Sequence, residues 1–181
     1  MDILLKARGF TLIELMITLA IAAILVTTST GFGNIIQRNE LTTVLNTLIT
    51  DMNFARSEAI KTGTEVVICI SQDGINCAKG DSWHNGWMVY YDSNGDRRKD
   101  SDEPLTRQQN ALGGTITIVY NGRPVDNYVR FRSDGTTHYN GTFALCNTRD
   151  TELKRALVLS NTGRLRSASY LPNGKAVNCS N

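Results

Sequence analysis

Histidine is nearly missing from this chain. His84 and His138 are the two in 181 residues, and neither stands with a Ser/Asp or Cys partner in the pattern of a nucleophile and its base. His84 lies beside Trp83 and nothing more follows from it. The HExxH zinc motif and the glycine-rich phosphate loop are absent. An enzymatic reading has no residues to rest on, so no catalytic site, cofactor, metal or small-molecule substrate is expected. The four cysteines, Cys69, Cys77, Cys146 and Cys179, do not have the spacing of a zinc site. No internal repeat and no low-complexity segment occurs. Charge is missing from one stretch above all: residues 10–26 are almost purely apolar, with Glu14 as the one ionisable side chain.

What is present starts with the order of the N-terminal features. A short polar leader with Lys6 and Arg8 ends at Gly9, and the apolar run follows. A secretory signal places its small-residue cleavage site after the apolar region. Here cutting at Gly9 would leave that region on the mature protein. Lys6 and Arg8 put the leader on the cytoplasmic side and everything after the run outside. An acid within such a run costs about 2.5–3.5 kcal/mol on insertion scales, which marks Glu14 as functional and calls for a positive partner close by. Beyond a membrane, an even number of cysteines reads as disulfides. Three pairings are open. The one expected is Cys69–Cys77, closing a short loop, with Cys146–Cys179 fastening the C-terminal end to a strand.

The helix begun at residue 10 is expected to continue to about residue 61, on the order of 75–80 Å at 1.5 Å per residue. Leu41, Val44, Leu45, Leu48, Met52, Ala55 and Ala59 form an apolar face at three- and four-residue steps. Gln37, Arg38, Asn39, Asn46 and Asp51 are expected on the other side, and Gly63 as the C-cap. Residues 65–70, 87–92, 115–120, 128–133, 142–147, 155–160 and 164–169 are short runs rich in β-branched and aromatic residues, and read as strands. Asn121-Gly122, Asp134-Gly135 and Asn140-Gly141 read as hairpin turns. The class is α+β: a long N-terminal helix, membrane-spanning in its first half and amphipathic in its second, packed on an antiparallel β-sandwich-like head. The segments expected are a leader over 1–9, a transmembrane half-helix over 10–33, an amphipathic half-helix over 34–63 and a β-rich head over 64–181 with a basic C-terminal hairpin and tail.

Two loops carry further signals. In residues 92–103, oxygen-bearing side chains fall at places 1, 3, 5, 9 and 12 of an EF-hand calcium loop. The sixth place, normally Gly, is Arg97, and three consecutive bases offset the acids, so the stretch reads as a solvated hairpin loop. In Gly163-Arg164-Leu165-Arg166, alternation puts the two arginines on one face, about 6.8 Å apart. That pitch suits successive backbone phosphates. Lys154 and Arg155 begin the partner strand and are expected at the same end of the sheet. Residues 147–181 carry six Lys and Arg against Asp150 and Glu152, which suggests an anionic partner. No aromatic platform accompanies the hairpin, so contact with nucleic acid would be to the backbone and independent of sequence.

The leader resembles the class III leader of type IV pilins and type II secretion pseudopilins. That resemblance implies a prepilin peptidase that cuts after Gly9 and methylates the new amino terminus at Phe10. It also implies that Glu14 pairs with the Phe10 amine of a neighbouring subunit during filament assembly. Pilins often carry a Pro in the middle of this helix; Gly31 stands there instead. Ala55-Arg56-Ser57-Glu58-Ala59-Ile60-Lys61-Thr62-Gly63, Gly86-Trp87-Met88-Val89-Tyr90-Tyr91-Asp92 and Phe131-Arg132-Ser133-Asp134-Gly135 are similar to the GspH/FimT branch. Gly163-Arg164-Leu165-Arg166 resembles the element by which FimT-type minor pilins of naturally competent bacteria hold DNA. The resemblance implies a minor pilin of a type IV pilus with major and minor pilins as partners, held first in the inner membrane with a periplasmic head. A structural priming subunit without DNA binding, or the minor pseudopilin H of a type II secretion system, are its alternatives.

Overall fold

The computed structural model describes residues 9–29, 32–122, 127–171 and 173–179. The chain divides into two compact units, Met1–Gln37 and Arg38–Asn181. Most of the leader lies outside the described residues, as do residues 30 and 31, through which the expected single long helix would run.

In the first unit, α1 (Leu12–Ser29) opens on a reciprocal cap. The Thr11 amide and hydroxyl both donate to Glu14 Oε2 at 3.0 Å, and the Glu14 amide donates to Thr11 Oγ1 at 3.3 Å. This is the Thr-x-x-Glu capping box, which satisfies amides that the first helical turn leaves open. Glu14 therefore has a local role within its own helix. The large apolar side chains between Phe10 and Val26 stand exposed. Among the described residues no helix is long and apolar enough to cross a membrane. The 18 residues of α1 rise about 27 Å, a little under a hydrocarbon core of about 30 Å.

α2 (Phe32–Thr62) begins in the first unit and, within the second, buries Leu41, Val44, Leu45, Leu48, Met52, Ala55 and Ala59 along one stripe. It ends at Gly63, whose φ of 70° is the left-handed cap and whose amide bonds the Ala59 carbonyl. Among the described residues eight strands follow: β1 (Glu65–Ile70), β2 (Trp87–Asp92), β3 (Leu105–Gln109), β4 (Ile116–Gly122), β5 (Tyr128–Phe131), β6 (Gly141–Asn147), β7 (Lys154–Leu159) and β8 (Leu165–Ala168). They form two four-stranded sheets, ordered β3-β2-β1-β5 and β4-β6-β7-β8, with antiparallel pairing throughout. The chain adopts the expected α+β class with a helix packed on an antiparallel head.

One core joins the α2 stripe to the inner faces of both sheets. Alternation sends Val66, Ile68 and Ile70 of β1 and Phe143, Leu145, Leu157 and Leu159 of β6 and β7 into it. Trp83, Tyr120 and Phe143 form its aromatic centre, with Trp83 edge-on to Phe143 at 5.0 Å and Tyr120 stacked on Phe143 at 4.2 Å. The outer face of each sheet is closed by a disulfide. Cys77, bonded to Cys69, packs with Tyr128 over Val67, Met88 and Tyr90. Leu171 and Val177 of the tail pack over Ala144, Cys146, Ala156 and Ala168, next to the Cys146–Cys179 bond.

Three expectations need correction. The sequence reading has no strand at β3, whose Thr-Arg-Gln-Gln residues offer no apolar face; among the described residues β3 is the outermost strand of its sheet and pairs only with β2. Asp51 does not face water. It is buried, with Trp87 Nε1 donating to it at 2.8 Å and Arg107 at 2.9 Å. Asn121-Gly122 and Asn140-Gly141 do not each close a tight hairpin. Gly122 and Gly141 pair with each other across β4 and β6, where the Tyr120 ring lies over both and leaves no room for a side chain.

Replacing Cys146 and Cys179 by Ser should lower stability to denaturant by about 2–5 kcal/mol. Amide exchange should quicken at residues 170–177 before it does in β4 and β6. Equal loss across the whole of that sheet would mean that the tail is not a separate layer.

Candidate functional site

The basic hairpin is built from the strand pair β7 and β8. Their register sets Val158 opposite Arg166 and Leu159 opposite Leu165. Leu165 packs against the main core, so its neighbours Arg164 and Arg166 point out on the other face, both exposed. With Val158, Ser160 and Thr162 they line a shallow groove of about 300 Å³. Among the described residues neither guanidinium enters a hydrogen bond or ion pair; Arg164 is held through its backbone alone, to Ser160.

The turn beneath them is tied down from several sides. Gly163 has a φ of 73° and sits so close to the Gly135 carbonyl and Arg56 that a side chain would not fit. Arg56 of α2 donates through Nε to the Gly135 carbonyl at 2.9 Å and through a terminal nitrogen to the Thr162 carbonyl at 3.1 Å. The Thr137 amide donates to Asn161 at 2.9 Å and its hydroxyl to Ser160 at 3.1 Å. Asp134 fastens the adjoining turn. The Thr136 hydroxyl and amide that donate to it hold its carboxyl below the ordinary range.

Lys154 and Arg155 are not brought to this end. In an antiparallel pair the first residues of β7 lie beside the last of β8. Lys154 is four residues, about 14 Å, from the Val158 that faces Arg166. The Ala156–Ala168 pair between them is packed under Leu171 and Val177. Arg155 opposes Leu145 and has the parity of Leu157 and Leu159, so it leaves the sheet on the face opposite Arg164 and Arg166; at the end of its strand it is exposed, and its guanidinium donates to the Lys154 carbonyl at 3.0 Å. Sequence reasoning missed Arg56, which positions the hairpin. Its signals were its place one step from the apolar stripe and within the 55–63 segment similar to the GspH/FimT branch.

The remaining candidates have structural uses. His84 Nδ1 accepts the Ile118 amide at 3.3 Å. His138 lies against Arg132 and Glu65, and burial holds it below the ordinary histidine range. No three His, Cys, Asp or Glu side chains converge as a metal site among the described residues.

The sequence model of the family described as "Type II transport protein GspH" matches residues 44–163, and that of the "Prokaryotic N-terminal methylation motif" matches residues 4–30. A crystal structure of the type IV minor pilin FimU of Pseudomonas aeruginosa strain PAO1 is 24% identical, covering 77% of this chain and 93% of that one, with a TM-score of 0.57. The same protein in a second crystal form gives 21% identity, 77% and 94% coverage and a TM-score of 0.50. At these identities the likeness shows the fold. No curated protein matches the chain at a significant level.

Arg56→Met keeps the aliphatic stem and removes both bonds to the turns. It should cost about 1–3 kcal/mol by chemical denaturation. It should also speed amide exchange at Thr137 and Gly163. Unchanged exchange at those two amides would show that the turn holds itself.

Proposed function

The chain belongs to the GspH/FimT family of minor pilins and pseudopilins, and on that premise we propose that it is a minor pilin of a type IV pilus that holds DNA through Arg164 and Arg166. The observation that carries the DNA reading is the pair of uncommitted guanidiniums on one face of a fixed hairpin, beside a groove lined by Ser160 and Thr162. Guanidinium forks and hydroxyls are the donors that phosphate oxygens accept. Lys154 and Arg155 drop to the margin or out of the site. The remaining contact has few charges, so affinity for one subunit is modest and duplexes of unrelated sequence bind alike.

The methylation motif over residues 4–30 supports processing by a prepilin peptidase, with cleavage after Gly9 and methylation of Phe10. The exposed apolar side chains from Phe10 onward support residence in the inner membrane before incorporation in a periplasmic or surface filament with other pilins. Glu14 has two roles in this reading. It caps α1 through Thr11, and its charge pairs with the Phe10 amine of the next subunit.

Duplex binding by the full-length chain in detergent should fall with salt at a slope near −0.9 per phosphate neutralised. Arg164→Gln and Arg166→Gln should each flatten that slope by about one unit with the fold intact. Wild-type behaviour of both variants in a mobility-shift titration ends the DNA reading. The family's description favours a second reading, a type II secretion pseudopilin. There the partners are other pseudopilins, and the arginine variants would leave DNA uptake untouched.

Glu14→Gln separates the two roles of that residue, because Gln still completes a capping box. The variant should be cleaved and inserted normally yet be lost from sheared filaments. Recovery equal to wild type would leave Glu14 with the cap alone.

A further inference from the structure

The loop between β2 and β3 has a construction that the pilin reading does not use. Asp92, Asn94, Asp96, Asp100 and Glu103 occupy the first, third, fifth, ninth and twelfth places of a calcium loop. Against this stand Arg97 at the glycine place and the run Arg97-Arg98-Lys99. Both objections weaken once the loop is folded. Arg97 has a φ of 65°, the single positive value outside glycine among the described residues. That is the backbone turn for which the sixth place ordinarily takes Gly. Its amide points back to Asp92 Oδ1 at 3.4 Å, and its guanidinium leaves the loop for the Tyr128 hydroxyl at 3.4 Å. Arg97, Arg98 and Lys99 line a groove with Lys79 and Tyr128, which Asp100 borders as well.

The acids at the two ends behave differently. Asp92 and Glu103 are 2% and 3% exposed, and neither forms an ion pair among the described residues. Glu103 accepts the Ser93 amide at 2.6 Å and the Asp100 amide at 3.2 Å, which draws both ends of the loop to one interior. Asp92 Oδ2 is buried there with no hydrogen-bond partner. Two carboxylates held out of water with no cation between them are strongly destabilising, and a lone pair left open on one of them marks where a cation would be held.

We propose that residues 92–103 bind a calcium ion, with Asp92 and Glu103 as buried anchors and Asn94, Asp96, Asp100 and the Arg98 carbonyl as the remaining oxygens. The exposed donors do not yet converge on a centre. Asn94 and Asp96 cap the next amides of the loop, at 3.0 Å to Asp96 and 2.8 Å to Arg98, and turn inward as the ion enters. An all-oxygen set on a pliant loop suits calcium rather than magnesium, which demands a rigid octahedron. The neighbouring bases place the affinity at the weak end, about 10⁻⁴–10⁻³ M, as in extracellular modules.

Calorimetric titration of the chelator-treated full-length chain in detergent with calcium chloride should give one ion per chain, with magnesium about tenfold weaker. Asp96 is exposed, so Asp96→Asn should keep the fold and weaken calcium about tenfold. Glu103→Gln should do at least as much, with near-UV circular dichroism checking its packing; if it does not fold, Asp96→Asn decides alone. Asp102→Asn, outside the donor places, should bind as wild type. So should Arg164→Gln, which keeps the outcome independent of the DNA reading. No heat and no thermal shift with calcium at tenfold above about 10⁻³ M overturns the proposal. Unaltered binding in Asp96→Asn overturns it equally.

Discussion

The apolar stripe of α2 is the surface against which both sheets of the head are laid. Leu41, Leu48 and Met52 fill the space between them, and Ala55 and Ala59 let the backbone approach where the helix ends. Apolar burial has no direction, so the stripe by itself would tolerate rotation and sliding of the helix. Directional bonds remove that freedom. Glu40 takes the Thr115 amide and hydroxyl, Asp51 takes Trp87 and Arg107, and Glu58 takes the Tyr91 hydroxyl. Arg107 also lies over the Phe54 ring at 4.1 Å. Glu40 reaches the entry to β4, Asp51 reaches β2 and β3, and Glu58 reaches the other end of β2, and together they fix one register of the helix on the head.

That register reaches the basic hairpin through Arg56. Because the side chain leaves α2 one position past Ala55, the placement of the 161–163 turn follows from the placement of the helix. Among the described residues β8 is also the last strand of its sheet, with one side of its backbone unpaired. Charged side chains on such a strand discourage pairing with another chain. Arg164 and Arg166 therefore have a plain use at an open edge, and the proposed phosphate contact would be a second use of the same charge.

Much of this was legible in the sequence, and the failures are specific. The seven core positions of α2 and the C-cap at Gly63 follow from spacing alone. β3 was not legible, because an outer strand of polar residues carries no periodic signal; its neighbour β2 supplies the pairing. The burial of Asp51 depends on Trp87 needing an acceptor 36 residues away, a fact no local window contains. Other failures were avoidable. The Thr11-x-x-Glu14 box was written in the sequence. The direction of an antiparallel hairpin already separates Lys154 from Arg166, and simple alternation already sets Arg155 with Leu157 and Leu159.

The Cys146–Cys179 bond closes a covalent ring of the chain that contains β7, the hairpin turn and β8. If Arg164 and Arg166 hold DNA as proposed, any pull on that DNA enters the fold at these two residues. An edge strand pulled this way can unzip from its neighbour one bond at a time, which takes little force. Here the slack released by peeling β8 is bounded, because the far end of the segment is fastened to β6, the second strand of its sheet. Force that would otherwise travel out along a fraying tail is returned to a strand paired on both sides.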